Sequence, residues 1–467
     1  MTGFSRKTLR CLLVSACCYA LAATAYAQGD KSPMMQEIQV VRERYSNAVP
    51  MPTPLVTKTG SSQALIPNAS GIRTLFPVLA DVQIPGYSGV LIESLDGGVV
   101  LESNAGASFN PASNTKVATA FAVLKTFGPE YRFRTDVYTD GAVDRTTGVL
   151  TGNVYVSGKD PIFGFQHAVS LAHELNRMGI RSVIGDLIVT DNFVMNYSGS
   201  PVASGQALLA TINASKRSPV ATRVWLNHLS YSGKHTQVQG VPSVTFSGAA
   251  YAQPIPSSLT QLFYHESTQM REILKATLCY SNNFLSERLG DLVGGPYAVA
   301  RLTHQFANIP PHELSLQTSS GLGFNRVTPN AMMKLLRALR ADLAKYKMTF
   351  ADIMPVAGID KGTLEGRFDA DFSRGSVVGK TGTLGNTDGG VSALAGEVNT
   401  RNGRLLFVIL NQRGSVSRFR SFQNYFVSLV QGQFGGAVPM AYDALSLEAR
   451  LAKSRVVSPT AQMKAEE

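Results

Sequence analysis

Asn110-Pro111-Ala112-Ser113-Asn114-Thr115-Lys116, running into Val117-Ala118-Thr119-Ala120-Phe121-Ala122-Val123-Leu124, is the stretch around which the chain organises. Asn110-Pro111 reads as a helix start: an amide that can cap free N–H groups, then a ring whose fixed φ suits a first turn. From Val117 to Leu124 the residues are apolar on nearly every side, so a helix here is central and surrounded by protein. Ser113 and Lys116, three apart, share one face of that helix. Ser113 falls at its N-terminus, where unpaired N–H groups and the macrodipole favour an oxyanion. Lys116 falls one turn deeper, where desolvation disfavours the ammonium and leaves an amine usable as a base. A Ser-x-x-Lys arises about once by chance in a chain of this length. The apolar setting separates this one from a solvated Ser and Lys on a surface helix.

Two further triplets follow in order. Ser281-Asn282-Asn283 lies between the apolar runs Leu274–Leu278 and Phe284–Leu289, where a hydroxyl and an amide can point into a cleft. The hydroxyl can relay a proton and the amide can hold a peptide backbone. Ser and Asn equally suit a helix cap, and that alternative stays open. Lys380-Thr381-Gly382-Thr383 follows Val377-Val378-Gly379, on or beside a strand. A cation there attracts a carboxylate, two hydroxyls can bond it, and Gly382 admits a close backbone approach. The N–H of Thr383 can complete an oxyanion hole with that of Ser113. The ordinary alternative is an exposed strand end. Lys58-Thr59-Gly60-Ser61 is a second copy in the wrong order and context, and Ser108-Phe109-Asn110 repeats the Ser-x-Asn pattern within the cap region. Such triplets are cheap alone.

Outward from these motifs the chain divides by texture. Residues 28–73 have no sustained period and read as an irregular lead-in. Order begins near Thr74, with Val90-Leu91-Ile92 and Val99-Val100-Leu101 flanking the turn Asp96-Gly97-Gly98. Residues 74–135 and 256–435 are read as two parts of one catalytic domain, interrupted at 136–255 by an inserted β-rich domain with one helix near Ala168–Met178. Helical periodicity returns at Leu259–Leu289 and Pro329–Lys345. Strand signals at Ser376–Val378, Val391–Val398 and Leu405–Leu410 precede a helix at Phe419–Val430. The expected class is α/β (α+β), an antiparallel sheet flanked by helices. Residues 436–467 read as a short helix and a frayed, charged tail.

The chain ends and composition bound the setting. Arg6, Lys7 and Arg10 precede a short apolar run, Cys11 to Ala23, and Ala25-Tyr26-Ala27 offers a cleavage site, together an export signal over residues 1–27. Val14-Ser15-Ala16-Cys17 resembles a lipoprotein processing site, but its apolar lead of about six residues is below the usual ~7. Simple secretion into the cell envelope is the favoured expectation. Processing removes Cys11, Cys17 and Cys18, so only Cys279 stays and no internal disulfide forms. Cys279, two residues before Ser281, reads as a buried structural thiol; the alternative is a cleft-lining thiol whose modification slows acylation. About 440 residues exceed one core and imply two or three domains. Net charge falls from +11 to +8 without Arg6, Lys7 and Arg10, which suits weak association with an anionic envelope surface. Co-sedimentation with envelope material that does not weaken as salt rises would remove that expectation. Neither an Arg-rich arm nor zinc spacing points to nucleic acid. No histidine cluster in the sequence suggests a metal, and no cofactor is expected.

With three motifs in order, the chain resembles the low-molecular-mass penicillin-binding proteins of the D-alanyl-D-alanine carboxypeptidase/endopeptidase type, from about Gly89 to Leu429. Leu95-Asp96-Gly97-Gly98 and Pro111-Ala112-Ser113 match the family's opening. Gly128–Thr135 and Gly185-Asp186-Leu187 resemble its inserted region, and Ser320-Gly321-Leu322, Met354–Gly358 and Gly362-Thr363-Leu364 resemble segments before its third motif. The long gap from Lys116 to Ser281 matches these peptidases rather than penicillin-hydrolysing relatives, whose motifs lie closer together. Thr318-Ser319-Ser320-Gly321 stands where Asp-Gly-Ser-Gly is usual, and Lys159 stands before Asp160-Pro161 where Gly is usual; both bear on substrate preference. The resemblance implies Ser113 as nucleophile and Lys116 as its base. It implies Ser281 working with Lys116 in proton relay, Asn283 orienting substrate, and Lys380, Thr381 and Thr383 binding the terminal carboxylate. It further implies a peptidoglycan peptide substrate, an acyl-enzyme, and slow-leaving acylation by β-lactam antibiotics. The competing readings are a β-lactamase or esterase of the same fold, and a non-catalytic envelope-binding protein.

Overall fold

The computed structural model describes residues 71–458 other than 235–237 and 239. The expected export signal with three of the cysteines, the lead-in up to residue 70, the second Lys-Thr-Gly triplet and the last nine residues lie outside the described residues.

One six-stranded sheet carries the third motif on its edge strand. Its order is Arg73–Thr74, Val99–Ser103, Tyr87–Ser94, Gly403–Gln412, Val391–Thr400 and Val377–Leu384, with every neighbouring pair antiparallel. The hairpin closes where expected: Gly97 at φ 103° donates to the Ser94 carbonyl, and Ser94 donates back to Gly98. The central strands bury residues on both faces: Leu405 to Leu410 are all buried. Val90, Ile92, Leu394, Phe407 and Ile409 meet Phe426, Val427 and Val430 of the helix Val416–Gln433 on one side. On the other side lies the helix Thr115–Phe127, buried without a break from Thr115 to Leu124. Its low amphipathicity is that of a helix with neighbours all round. Helices Met270–Cys279, Asn283–Val293, Pro296–Ala307 and Pro329–Lys345 complete this layer. The last begins and ends where the sequence pattern places it, with Thr328 capping the Ala331 N–H.

Residues 134–266 build other sheets. A six-stranded mixed sheet runs Ala250–Ala252, Leu187–Val189, Val154–Gly158, Arg134–Thr139, Thr260–Glu266 and Arg455–Val457. A four-stranded one runs Thr245–Phe246, Ser182–Ile184, Val149–Thr151 and Ala142–Asp144. Their apolar residues share a core with the helices Phe165–Arg177 and Pro201–Ile212.

Three details differ from the sequence expectation. This region holds three helices, not one: Pro201–Ile212 and Pro219–Tyr231 join Phe165–Arg177. Both added helices start on a serine cap followed by proline, a start signal masked by the Ser- and Asn-rich stretches around them. Helical periodicity was expected from Leu259, yet Thr260–Glu266 is a strand, because pairing with Arg134–Thr139 and burial of Leu262–Tyr264 override local pattern. The tail is a short helix, Leu447–Leu451, but Arg455–Val457 then adds an edge strand against Tyr264–Glu266. No helix among the described residues is long and apolar enough to cross a membrane.

Candidate active site

The turn that holds Ser113 is built under constraint. Asn110 accepts from the Ala112 N–H at 2.9 Å, and its amide donates to the Gly323 carbonyl and to Asp388. Ala112 then adopts φ 47°, a left-handed conformation costly for a residue with a Cβ, and Ser113 follows in the 3-10 turn Ala112–Asn114. Two glycines clasp this turn. A Cβ on Gly321 would stand 1.9 Å from the Ala112 carbonyl oxygen, and one on Gly382 would stand 2.6 Å from that of Pro111. Gly382 therefore has the role its place in the third motif suggests. It brings the Thr381–Thr383 strand segment against the turn that holds Ser113.

Lys116 is buried, and its Nζ lies 3.0 Å from Ser113 Oγ, 2.7 Å from Asn283 Oδ1 and 2.6 Å from the Ser320 carbonyl. Burial lowers its pKa to about 7, with the Glu287 carboxylate pulling the other way. Ser281 sits at φ 55° in the turn between Met270–Cys279 and Asn283–Val293. The helix cap falls to Asn282, whose side chain accepts from the Leu285 N–H at 2.9 Å, so neither Ser281 nor Asn283 is spent on capping. Lys380, fully buried, donates to Ser281 Oγ at 2.8 Å and to the Thr381 carbonyl at 2.6 Å. Burial holds the Lys380 amine well below the usual lysine value, and the nearby charge of Lys116 adds to this.

The expected residues thus converge, with pairings of their own. Lys116 joins Ser113 to Asn283, while Ser281 is held by Lys380. Thr383 Oγ1 accepts from Arg420 at 2.9 Å, an exposed guanidinium from the helix Val416–Gln433. The Gly382 contact brings the strand that carries Thr383 against Pro111 and Ala112, next to Ser113. Cys279 is buried and its thiol is pushed up to about 12 by desolvation, the structural thiol of the two alternatives.

Sequence reasoning missed Ser320 as the acceptor for Lys116, and it missed Glu287 and Arg420. Glu287 had a signal: it stands four residues after Asn283, on the same face of a helix. Arg420 had none, because an arginine on a surface helix resembles any other.

The model of the D-Ala-D-Ala carboxypeptidase 3 (S13) family matches residues 74–205 and 210–428. A D-alanyl-D-alanine carboxypeptidase of Actinomadura sp. (strain R39) is 24% identical over 474 residues, covering 79% of this chain and 86% of the relative. Among solved structures, the penicillin G acylated predatory endopeptidase of Bdellovibrio bacteriovorus has TM-score 0.67 at 21% identity, covering 79% of this chain and 98% of that one. Penicillin binding protein 4 of Haemophilus influenzae has TM-score 0.54 at 19% identity, covering 75% and 97%. The two structures share the fold. With the family model matched from before the hairpin to the last long helix, this chain belongs to the D-Ala-D-Ala carboxypeptidase 3 (S13) family of serine hydrolases.

Proposed function

We propose that Ser113 is the nucleophile and Lys116 the base of a D-Ala-D-Ala carboxypeptidase that also opens cross-link amides in peptidoglycan. The observation that carries this reading is the set of partners around Lys116 Nζ. A neutral amine has two N–H bonds and one lone pair. Asn283 Oδ1 and the Ser320 carbonyl accept the two N–H bonds, which leaves the lone pair for the Ser113 hydroxyl at 3.0 Å. Burial supports the neutral form near pH 7.

Ser113 Oγ attacks the carbonyl carbon of the penultimate D-Ala, and its proton passes to Lys116. The Ser113 and Thr383 N–H groups hold the resulting oxyanion. On collapse the C–N bond breaks, and the leaving nitrogen takes a proton from Lys116 relayed through Ser281, the hydroxyl that Lys380 holds. Water then attacks the ester, and Ser113 recovers its proton as the acid departs. Asn283 orients the peptide, while Thr381, Thr383 and Lys380 receive its terminal carboxylate, with Arg420 adding charge at the rim. Arrival of a carboxylate offsets the desolvation of Lys380 and favours its ammonium form. A cross-link amide places a longer amine in the leaving position without altering the chemistry.

A β-lactam would open on Ser113 with its amine still tethered, so the leaving group stays and obstructs water. The Bdellovibrio endopeptidase carrying penicillin G supports this by analogy. Export to the periplasm and weak attraction to anionic envelope material belong to the same reading, and rest on the basic n-region and the charge of +8 after processing.

The deciding experiment is a time course of intact mass for the protein with penicillin, beside Ser113→Ala. A lasting adduct on the unmodified protein alone supports the reading. A transient adduct with drug turnover points to a β-lactamase, and absence of any adduct to a binding protein.

A further inference from the structure

The loop that fixes Lys116 is itself held by a residue outside the three motifs. Glu287, on the helix that begins at Asn283, turns both carboxylate oxygens on successive backbone donors: Oε1 accepts from the Ser320 N–H at 2.9 Å and Oε2 from the Ser319 N–H at 3.1 Å. The carbonyls of the same two residues serve the neighbouring helices. Ser319 accepts from Thr119 at 2.6 Å and from Ser286 at 2.8 Å; Ser320 accepts from Lys116 at 2.6 Å. Gly321, at φ 90°, then presses on the Ala112 carbonyl. Every polar backbone group of this turn between Ser319 and Ser320 is bound, and Glu287 supplies both acceptors.

We propose that Glu287 is a positioning residue for the reaction: its carboxylate fixes the turn whose carbonyl aims the Lys116 amine, and its negative charge acts on that amine. The inference rests on the reading of Ser113 and Lys116 given above. No carboxylate stands at ion-pair distance from Lys116 among the described residues, so Glu287 is the charge that opposes its desolvation. From the facing strand the titratable neighbour is Lys380, whose own amine is disfavoured as an ammonium by burial and then by the charge of Lys116. The turn also depends on a helix glycine. The Ser319 side chain lies over Gly290, where a Cβ would stand 2.4 Å from that of Ser319, so only glycine there leaves room for the turn to keep its grip on Glu287 and Lys116.

The test is the rate of Ser113 acylation by penicillin as a function of pH for wild type, Glu287→Gln and Glu287→Asp, with thermal melts to confirm folding. In wild type the rate rises with pH as Lys116 loses its proton, around about 7. In Glu287→Gln the midpoint moves to lower pH, because removal of the negative charge disfavours the ammonium. Its plateau falls by about 10- to 100-fold as the turn loosens. Glu287→Asp retains the charge and shortens the arm, so its midpoint stays while its plateau falls. An unmoved midpoint in Glu287→Gln overturns the proposal, and so does a wild-type plateau in Glu287→Asp, the variant expected to fold whatever becomes of the amide. A wild type that forms no adduct on Ser113 overturns the parent reading and this one together. An acylated wild type with unaltered Glu287 variants overturns this one alone.

Discussion

Two of the regions that bury ionisable groups among the described residues, the motif site and the core of the second large sheet, are arranged differently. At the motif site, Lys116 and Lys380 have acceptors for their N–H bonds, and the Lys116 amine meets the half-buried hydroxyl of Ser113. In the core of the second large sheet, His167, His228 and His265 crowd together, with ring centres 4.6 Å apart for His167–His265 and 5.8 Å for His167–His228. Burial drives His265 down to about 3 and His228 to about 4, and raises Asp160, in the turn before Phe163, to about 7. Both ring nitrogens of His265, Nε2 of His167 and Oδ2 of Asp160 have no hydrogen-bond partner. No group of three or more such side chains among the described residues is arranged to hold a metal. Perturbed titration is thus as strong in the histidine core as at the motif site. What distinguishes the motif site is convergence of satisfied donors and acceptors on the half-buried hydroxyl of Ser113, the proposed nucleophile. Lys275 makes the same point from a third position. It is fully buried, yet it bonds Asp360 at 2.7 Å and the Ala351 and Met354 carbonyls, an anchor with no free lone pair.

This contrast can be broken most sharply at Lys116. Lys116→Met keeps the length and removes the proposed base, and acylation of Ser113 is expected to slow by about 10²- to 10⁴-fold. Stopped-flow acylation with circular dichroism as the folding control reads this, and a loss under tenfold would place the base elsewhere. Lys275→Met is the counterpart. It leaves the Asp360 carboxylate buried without its cation, although Tyr442 and the Val356 N–H still donate to it. Urea unfolding should show a loss of about 3–5 kcal/mol, while acylation per folded molecule stays at the wild-type rate. A large fall in that rate would tie Lys275 to the motif site and blur the comparison.

The smallest expected effect concerns the histidine core. The folded-state values of His265 and His228 lie below the ordinary 6.5, so between that value and about 3–4 the unfolded chain takes up protons that the folded chain refuses. Their contribution is therefore intact above pH ~6.5 and is lost progressively on acidification. His265→Leu deletes two unpartnered nitrogens and one such proton, so its stability at neutral pH should change little. Between neutral pH and pH ~4 it should lose about 3 kcal/mol less than wild type. Acid unfolding followed by fluorescence measures this, and equal losses in the two proteins would mean that His265 is not buried neutral.

Much of this was legible before any coordinates. The buried helix after Ser113, the hairpin at Asp96-Gly97-Gly98, the helix Pro329–Lys345 and the strands around Lys380 follow from periodicity and turn chemistry. These depend on neighbours a few residues away. The same local logic overlooked the helices Pro201–Ile212 and Pro219–Tyr231, whose caps sit in polar stretches that read equally as loop. It also read Thr260–Glu266 as helix, because a buried strand and a buried helical segment share an apolar composition.

The sequence by itself determined which side chains were available to the site, their order, and the kind of local element that carries each. Tertiary structure alone decided who bonds whom. Lys116 meets Asn283 across 167 residues and Lys380 meets Ser281 across 99, while Asn282 takes the cap that either of its neighbours had equal claim to. It also recruited Glu287 and Arg420 and drew Arg455–Val457 onto the second sheet. The physical reason is common to all of these. Propensity and capping are settled within a turn or two of helix. The geometry of an active site is settled by packing between elements distant in sequence, and by the need to satisfy every buried donor and acceptor at once.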